Sequence, residues 1–281
     1  MNARAALLAT LALIAFAANS ILCRLALGAR LIDAGSFTLV RLLSGAVILA
    51  ILVALRDRGR PGLHFRWSMA IALAAYAAPF SFAYLRIQAG TGALILFGAV
   101  QTTMITGHLL SGKHLHTNEV LGLVLATGGL LVLTLPGATA PDLIGALLMS
   151  AAGIAWGIYS LLGRSAVDPL GSTAGNFLLA TLMCVPLAAI GGVREALPTG
   201  IAYATASGML ASGVGYAVWY AVLRGLSATR AGIAQLLVPV IAALGGVVFL
   251  DETITQRLVI STVMILAGVS LAVLIRHVQE P

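Results

Sequence analysis

Ten apolar stretches, each long enough to cross a lipid bilayer as a helix, follow one another along almost the whole chain. Hydrophobic residues make up 60% of the 281 residues and charged residues 9%, so a soluble globule of this composition would lack a polar surface. A transmembrane helix needs about 20 mostly apolar residues. The sequence therefore predicts an all-α integral membrane protein with ten transmembrane helices, over residues 5–27, 35–55, 67–86, 90–111, 119–135, 142–163, 172–192, 201–223, 229–250 and 257–275.

The second half of the chain repeats polar and glycine positions of the first half at an offset of about 138 residues. The clearest matches are Leu85-Arg86 with Leu223-Arg224 and Gly107 with Gly245. We therefore predict two five-helix repeats, over residues 1–137 and 138–281. Because five is odd, the two repeats would insert with opposite orientation. Such an inverted pair is typical of secondary transporters that work by alternating access.

Basic residues favour one side of the predicted bundle. With the amino terminus inside, ten arginines and lysines fall on the inner side and five on the outer side. The positive-inside rule then places both termini in the cytoplasm. Basic loops beside anionic lipid explain the net charge of +7, and no basic helix interleaved with aromatic residues indicates nucleic-acid binding. Fifteen arginines against one lysine indicate a GC-rich bacterial source, so we expect the bacterial inner membrane.

Metal and cofactor chemistry finds little support in the sequence. Cys23 and Cys184 lie in spans of different halves without metal-ligand spacing. His114 and His116 share a short loop with Glu119 as the nearby carboxylate, which falls short of the converging groups that a membrane-embedded lipid-modifying enzyme needs. We expect no metal and no cofactor. Such an enzyme, or a non-transporting membrane receptor, is kept as an alternative of a different class.

Short strings in the second half form a family signature: Leu226-Ser227-Ala228-Thr229, Pro239-Val240, Gly245-Gly246, Leu250-Asp251-Glu252 and Gly268. On these residues the chain resembles the EamA-like branch of the drug/metabolite transporter superfamily. The first half resembles it through Arg41 and through the segment from Leu85 to Gly129. The resemblance implies a ten-helix transporter of amino acids, other metabolites or drugs.

The first half departs from this signature at two places. Gln101 stands where the family often has a mid-span proline, and Lys113-His114 stands where the second half has Asp251-Glu252. Residue roles therefore cannot be copied from one half to the other. Pro239 keeps the mid-span proline, which frees a backbone carbonyl and permits a bend. We predict Pro239 as a hinge and Pro79 as a second one.

Polar side chains inside the spans are the first candidates for a substrate site. Arg41 lies more than one turn inside the second span, where a charge costs at least ~2.5 kcal/mol. It either faces a wet cavity and binds a carboxylate or phosphate, or it snorkels to the outer interface or ties helix ends together. Asn19, Gln101 and Gln235 are expected to face the bundle interior. Hydrogen bonding between helices is the alternative for them.

Aromatic side chains near mid-span are the second group of candidates. Trp156 and Tyr159 are one turn apart, Tyr216 and Trp219 share a helix face, and Tyr76 lies in the third span. We predict that these rings line a cavity. Such a wall with a few amides and one cation suits a small zwitterion or an organic anion. Core packing is the alternative.

The driving force stays open at the level of sequence. All nine acidic residues fall in loops or at span ends, so proton antiport lacks a buried carboxylate, and facilitated diffusion or exchange stands beside it. His108 is the candidate for proton coupling, with a structural hydrogen bond as the alternative.

Together these features predict a secondary transporter that exports small metabolites such as amino acids by alternating access. A multidrug or toxic-analogue exporter is the first alternative. A small-molecule substrate and membrane lipids are the expected partners, and both a monomer and a homodimer fit.

Overall fold

The structure is a computed structural model that describes residues 3–58, 62–110, 117–135, 140–163, 166–190, 196–223, 235 and 237–274. All regular elements in these ranges are helical. They are α1 (Ala3–Gly28), α2 (Ala34–Arg56), α3 (Trp67–Ala83), α4 (Ala89–Leu110), α5 (Thr117–Thr134), α6 (Leu143–Gly163), α7 (Pro169–Ile190), α8 (Pro198–Ala206), a π-helical segment (Ser207–Val214), α9 (Gly215–Leu223), α10 (Leu237–Leu250) and α11 (Gln256–Leu274).

Each of the ten predicted stretches contains a helix in the described part of the chain. Four helices are long and apolar enough to cross a membrane, namely Leu7–Gly28, Ala34–Arg56, Leu143–Gly163 and Pro169–Ala189. Five shorter apolar helices accompany them: Trp67–Ala83, Ala89–Met104, Val120–Leu133, Leu237–Leu250 and Gln256–Gly268. The ninth prediction began at residue 229, but residues 229–234 lie outside the described residues. The chain is thus a multi-pass, all-helical membrane protein.

The eighth predicted span is one continuous helix whose middle is π-helical. Ala206 and Gly215 on either side of the π segment have right-handed helical dihedrals, so α8, the π segment and α9 follow one another without a break. A π-helix bonds residue i to i+5 instead of i+4 and is mostly seen near functional sites. The sequence analysis did not predict this change of helix type.

Helices at equivalent places in the two halves pack against each other. α2 contacts α7, α4 contacts α10, and α5 contacts α11. α2 and α7 run antiparallel, because Gly35 at the start of α2 lies against Leu187 near the end of α7, whereas Gly45 lies against Phe177. α5 and α11 are antiparallel in the same way. The helices of the fifth and tenth predicted spans therefore pair with one another.

The first helix of each half packs into the opposite half. α1 contacts α8, the π segment, α9 and α10, while α6 contacts α3 and α4. These contacts bring α1, α2, α3, α6 and the π segment together in the middle of the bundle. The predicted site residues on these elements can therefore meet.

Candidate functional site

The centre of the site is Arg41, whose side chain is buried in the bundle with 1% of the residue exposed. Its guanidinium carbon lies 4.7 Å from the ring centre of Phe80 and 5.2 Å from that of Tyr76. Within the described residues, Arg41 Nε and Nη1 have no hydrogen-bond partner, and no carboxylate pairs with the guanidinium. The Arg41 side chain therefore lies inside the bundle and does not reach its surface, while the alternative that it ties helix ends together stays a prediction.

A hydrogen-bonded chain links Arg41 to the π segment through two predicted site residues. Asn19 Nδ2 donates to the Tyr76 hydroxyl over 3.2 Å, and the Ser207 hydroxyl donates to Asn19 Oδ1 over 2.5 Å. All three residues are buried. Because the Tyr76 ring also lies beside the guanidinium, a ligand that moves Tyr76 acts on Ser207 through Asn19.

The remaining predicted rings form one aromatic cluster that begins at Tyr76. The Trp156 ring centre lies 5.0 Å from Tyr76, 5.2 Å from Tyr159 and 5.2 Å from Tyr216. Trp219 joins the cluster through Phe16, whose ring centre lies 5.8 Å from Trp219 and 5.6 Å from Tyr216. These spacings are those of rings in contact. The cluster is therefore closed, and a ligand that enters must separate the rings.

The structure does not join the other two amides to this cluster. Gln101 is buried in α4 with 6% exposed, and Gln235 is half-buried. Among the described residues, neither makes a hydrogen bond to Arg41, Asn19 or Tyr76. The side chain of His108 lies outside the described part of α4, as do His114 and His116. Their predicted roles stay predictions.

The predicted hinge prolines lie inside helices. Pro79 is within α3, close in sequence to Tyr76 and Phe80, and Pro239 is the third residue of α10. Pro239 is buried, and Pro79 is half-buried.

Four residues outside the predicted set complete the site. Phe80 contacts the Arg41 guanidinium, and its spacing of one turn from Tyr76 already places both rings on one helix face. Sequence analysis missed Ser207, Phe16 and Phe177. The Phe16 ring contacts that of Tyr216, and the Phe177 ring centre lies 6.1 Å from that of Tyr216. Phe16 and Phe177 are single phenylalanines in apolar helices, and nothing in the sequence separates them from lipid-facing ones.

Charged residues at one end of the bundle tie the two halves together. Arg56 at the end of α2 donates two hydrogen bonds of 2.7 Å to Asp168, which precedes α7. It also donates to Asp57, and His64 Nε2 lies 3.7 Å from Asp168 Oδ2. The Arg56 hydrogen bonds hold the pKa values of Asp168 and Asp57 below their ordinary range.

At the other end of the bundle, Glu252 joins the end of α10 to the start of α4. Both carboxylate oxygens accept from the Ala89 backbone N–H, over 2.9 and 2.8 Å, at the start of α4. Arg24 Nε lies 3.5 Å from Glu252 Oε1, and the Glu252 side chain is 9% exposed. Burial raises the pKa of Glu252 above its ordinary value, and the contacts with Ala89 and Arg24 oppose that rise. Glu252 lies just after the end of α10 and outside the helices, as the sequence analysis predicted for the acidic residues.

Comparison with known proteins identifies the architecture. The model of the EamA-like transporter family matches residues 3–135 and 143–274. An uncharacterized protein of Pseudomonas aeruginosa is 52% identical over 95% of this chain and 94% of its own length. The threonine/homoserine exporter RhtA of Salmonella typhimurium is 30% identical over 45% of this chain and 44% of its own length. A crystal structure with 19% identity superposes with a TM-score of 0.71 and covers 100% of this chain and 99% of its own, which shows the common fold.

Proposed function

Because the chain belongs to the EamA-like transporter family, we propose that it is a secondary transporter that exports small carboxylate-bearing metabolites, with amino acids first, by alternating access. The observation that carries this proposal is the buried guanidinium of Arg41, whose Nε and Nη1 have no hydrogen-bond partner among the described residues, beside a cluster of aromatic rings. Membership of a transporter family implies that the protein moves a small-molecule substrate and is not an enzyme. The preference for substrates that carry a carboxylate is inferred from the buried positive charge of Arg41.

An arginine buried in this way costs free energy that its ring contacts offset only in part. A charged side chain inside the membrane costs at least ~2.5 kcal/mol on insertion scales. Hydrogen bonds to charged groups contribute about 1.5–3 kcal/mol each. A substrate carboxylate that reaches Nε and Nη1 would supply such bonds. The same positive charge disfavours cationic drugs, so the multidrug alternative is the weaker one.

The aromatic cluster can contact the ammonium group and the side chain of an amino acid. Ring faces of Trp156, Tyr159 and Tyr216 carry negative charge density and attract an ammonium group by about 0.5–2 kcal/mol. The same rings can contact an apolar side chain. The relative RhtA, named as a threonine/homoserine exporter, supports amino acids as the first class to test.

The packing of equivalent helices supports alternating access by two inverted repeats. α2 and α7 run antiparallel, as do α5 and α11, which is what a two-fold axis in the membrane plane requires. Residues 1–137 and 138–281 are then the two inverted units, in which the third, fourth, eighth and ninth spans rock to open the cavity alternately to each side, while the α5–α11 pair serves as scaffold. The excess of basic residues on one side supports a bacterial inner-membrane protein with both termini in the cytoplasm.

Reconstituted liposomes test this proposal. Vesicles that contain the purified protein are loaded with a mixture of labelled amino acids, and efflux is measured with and without an imposed proton gradient. We expect efflux of particular amino acids that disappears in Arg41→Leu. Arg86→Gln, which removes an arginine that is half exposed at a helix end, is the control for lost positive charge and should transport normally. Arg41→Leu vesicles that export like wild type would disprove the site, and vesicles that export no carboxylate at all would disprove the substrate class.

A further inference from the structure

The π segment lies directly against the backbone of α2 beside the substrate site. A Cβ on Gly208 would lie 2.1 Å from the Arg41 carbonyl oxygen, and one on Gly213 would lie 2.2 Å from Ile48 Cγ2. No side chain fits between the two helices at these points. The Ser44 hydroxyl lies 3.2 Å from the Arg41 carbonyl oxygen and 3.4 Å from that of Thr205. α2 is thus attached to the turn in which the α-helix gives way to the π-helix.

The first residue of the π segment is also bonded to the substrate site. Ser207 donates to Asn19, Asn19 donates to Tyr76, and the Tyr76 ring lies beside the Arg41 guanidinium. Ser207 is buried with 0% exposed. A ligand that draws Arg41 or Tyr76 away therefore pulls on the chain of bonds that ends at the π segment.

The residues that follow the π segment are the rings of the aromatic cluster. Tyr216 and Trp219 lie in α9, two and five residues after Val214. An α-helix turns by about 100° per residue, from its 3.6 residues per turn. When one π-helical turn becomes α-helical, everything after it shifts by one residue and rotates by about that angle. Such a rotation would carry Tyr216 and Trp219 off the Trp156 and Phe16 rings.

We propose that the π segment Ser207–Val214 is a hinge that couples occupancy of the Arg41 site to opening of the aromatic cluster, with Ser207 as its positioning residue. This inference rests on the proposed function and adds the element that transmits binding. With the site empty, the Ser207–Asn19 bond holds the π form and the rings stay closed. A carboxylate at Arg41 breaks that bond, one wide turn becomes α-helical, and α9 rotates the rings apart.

A disulfide between α1 and α9 tests the rotation. A Cβ on Gly215 would lie 3.1 Å from Ala15 Cβ, near the spacing that a disulfide needs. The double variant Ala15→Cys/Gly215→Cys should cross-link on oxidation and lock α9 in the closed form. We expect efflux of the labelled amino-acid mixture to fall at least tenfold and to return on reduction. A Gly129→Cys/Met264→Cys lock, in which the two Cβ atoms would lie 2.9 Å apart in the α5–α11 pair, should export at the same rate in its oxidised and reduced forms, so that the packing cost of the Gly129 substitution cancels in the comparison.

The role of Ser207 is tested by the rate of the same cross-link without any solute. Ser207→Ala should slow disulfide formation between positions 15 and 215 several-fold, because the π form is no longer held. Ser207→Thr, which keeps a hydroxyl, should restore the rate, and Ser212→Ala, another buried serine of the segment, should not change it. If Ser207→Ala and Ser212→Ala changed the cross-linking rate alike, the cause would be a destabilised bundle, and the proposal would be overturned.

The outcomes separate the hinge from the proposed function. If the oxidised lock exports as fast as its reduced form, or if Ser207→Ala cross-links at the unmodified rate, the hinge is wrong while the transporter proposal stands. If the reduced protein exports no amino acid, the transporter proposal fails in its substrate class. The cross-linking rates of the serine variants then still decide the hinge, because they need no substrate.

Discussion

The guanidinium carbon of Arg41 lies 4.7 Å from the centre of the Phe80 ring, where a charged arginine inside a membrane protein would ordinarily have a carboxylate. A desolvated cation–π contact contributes about 2 kcal/mol. A hydrogen bond to a charged group contributes about 1.5–3 kcal/mol, and a carboxylate can accept more than one from the same guanidinium. The ring is therefore a weaker partner than a substrate carboxylate, and exchange of one for the other is favourable.

Replacement of Arg41 by methionine should stabilise the protein and abolish transport. Methionine fills much of the same volume without a buried charge, so the cost of an unpaired cation, at least ~2.5 kcal/mol on insertion scales, is removed. We expect a higher Tm of the detergent-solubilised protein and no export of carboxylate-bearing amino acids. Arg41→Lys keeps the charge but loses the planar fork. Loss of one charged hydrogen bond, about 1.5 kcal/mol or more, would weaken substrate affinity about tenfold.

A lower Tm in Arg41→Met would show that the arginine is a structural residue. Gln101→Leu provides a second check on the site. It should also reduce export while membrane insertion stays intact, because Gln101 is a buried amide in α4. Wild-type export by both Arg41→Leu and Gln101→Leu would contradict the proposed site.

Truncation of Tyr216 should destabilise the protein, because this ring holds three elements together. It contacts Phe16 of α1, Trp156 of α6 and Phe177 of α7. Removal of a buried aromatic side chain costs about 3–5 kcal/mol. The Tm of Tyr216→Ala in detergent should therefore be clearly lower than that of wild type. Tyr203→Ala, at a half-buried ring of α8, serves as the control and should lower Tm much less.

Polar and aromatic residues stand out in apolar helices, and this made them candidates for the site. Asn19, Arg41, Tyr76, Trp156 and Tyr216 were chosen on this ground, and the structure joins them in one connected group. Helix limits were predicted equally well, since the length of an apolar run is fixed by the thickness of the bilayer.

The features that the sequence could not predict depend on packing between residues that lie far apart in the chain. The π segment contains small residues that are common wherever helices approach closely, and only its contact with the α2 backbone at Gly208 distinguishes it. Glu252 stands at the end of a span, and its burial depends on the start of α4, 163 residues away in the chain. Neither the contact of Gly208 with α2 nor the burial of Glu252 produces a local pattern in the sequence.

Adjacent glycines in α5 should respond oppositely to the same substitution. A Cβ on Gly129 would lie 2.8 Å from Ile265 Cγ1 and 3.1 Å from the Ser261 carbonyl oxygen, so Gly129→Ala should force α5 and α11 apart and lower Tm. A Cβ on Gly128 would meet only the end of Met264 at 3.5 Å. There the helix propensity of alanine, about 1 kcal/mol better than glycine, should raise Tm or leave it unchanged. Equal losses in both variants would show that α5 and α11 do not pack as described.

Glu252 should give the protein a stability that depends on pH. Burial raises its pKa in the folded protein, so the folded state binds the proton more readily than the unfolded state does. Between the ordinary pKa and the raised one, a fall in pH therefore stabilises the fold, and this gain is lost as pH rises through the raised pKa. Relative to Glu252→Gln, which does not titrate, wild-type Tm should improve as pH is lowered from 7 to 5.

The contacts of Glu252 set the controls for that pH series. Glutamine can still accept from the Ala89 N–H, whereas Glu252→Ala leaves the start of α4 uncapped and should cost about 0.5–2 kcal/mol. Asp251→Asn removes the neighbouring exposed carboxylate at a position with φ of 52° that asparagine tolerates, and it should keep the wild-type pH profile. Parallel Tm profiles of wild type and Glu252→Gln would mean that burial at the α10–α4 junction does not act on this carboxylate. Convergence of the two profiles at low pH, with wild-type Tm below that of Glu252→Gln at high pH, would instead show that burial at this junction acts on the carboxylate.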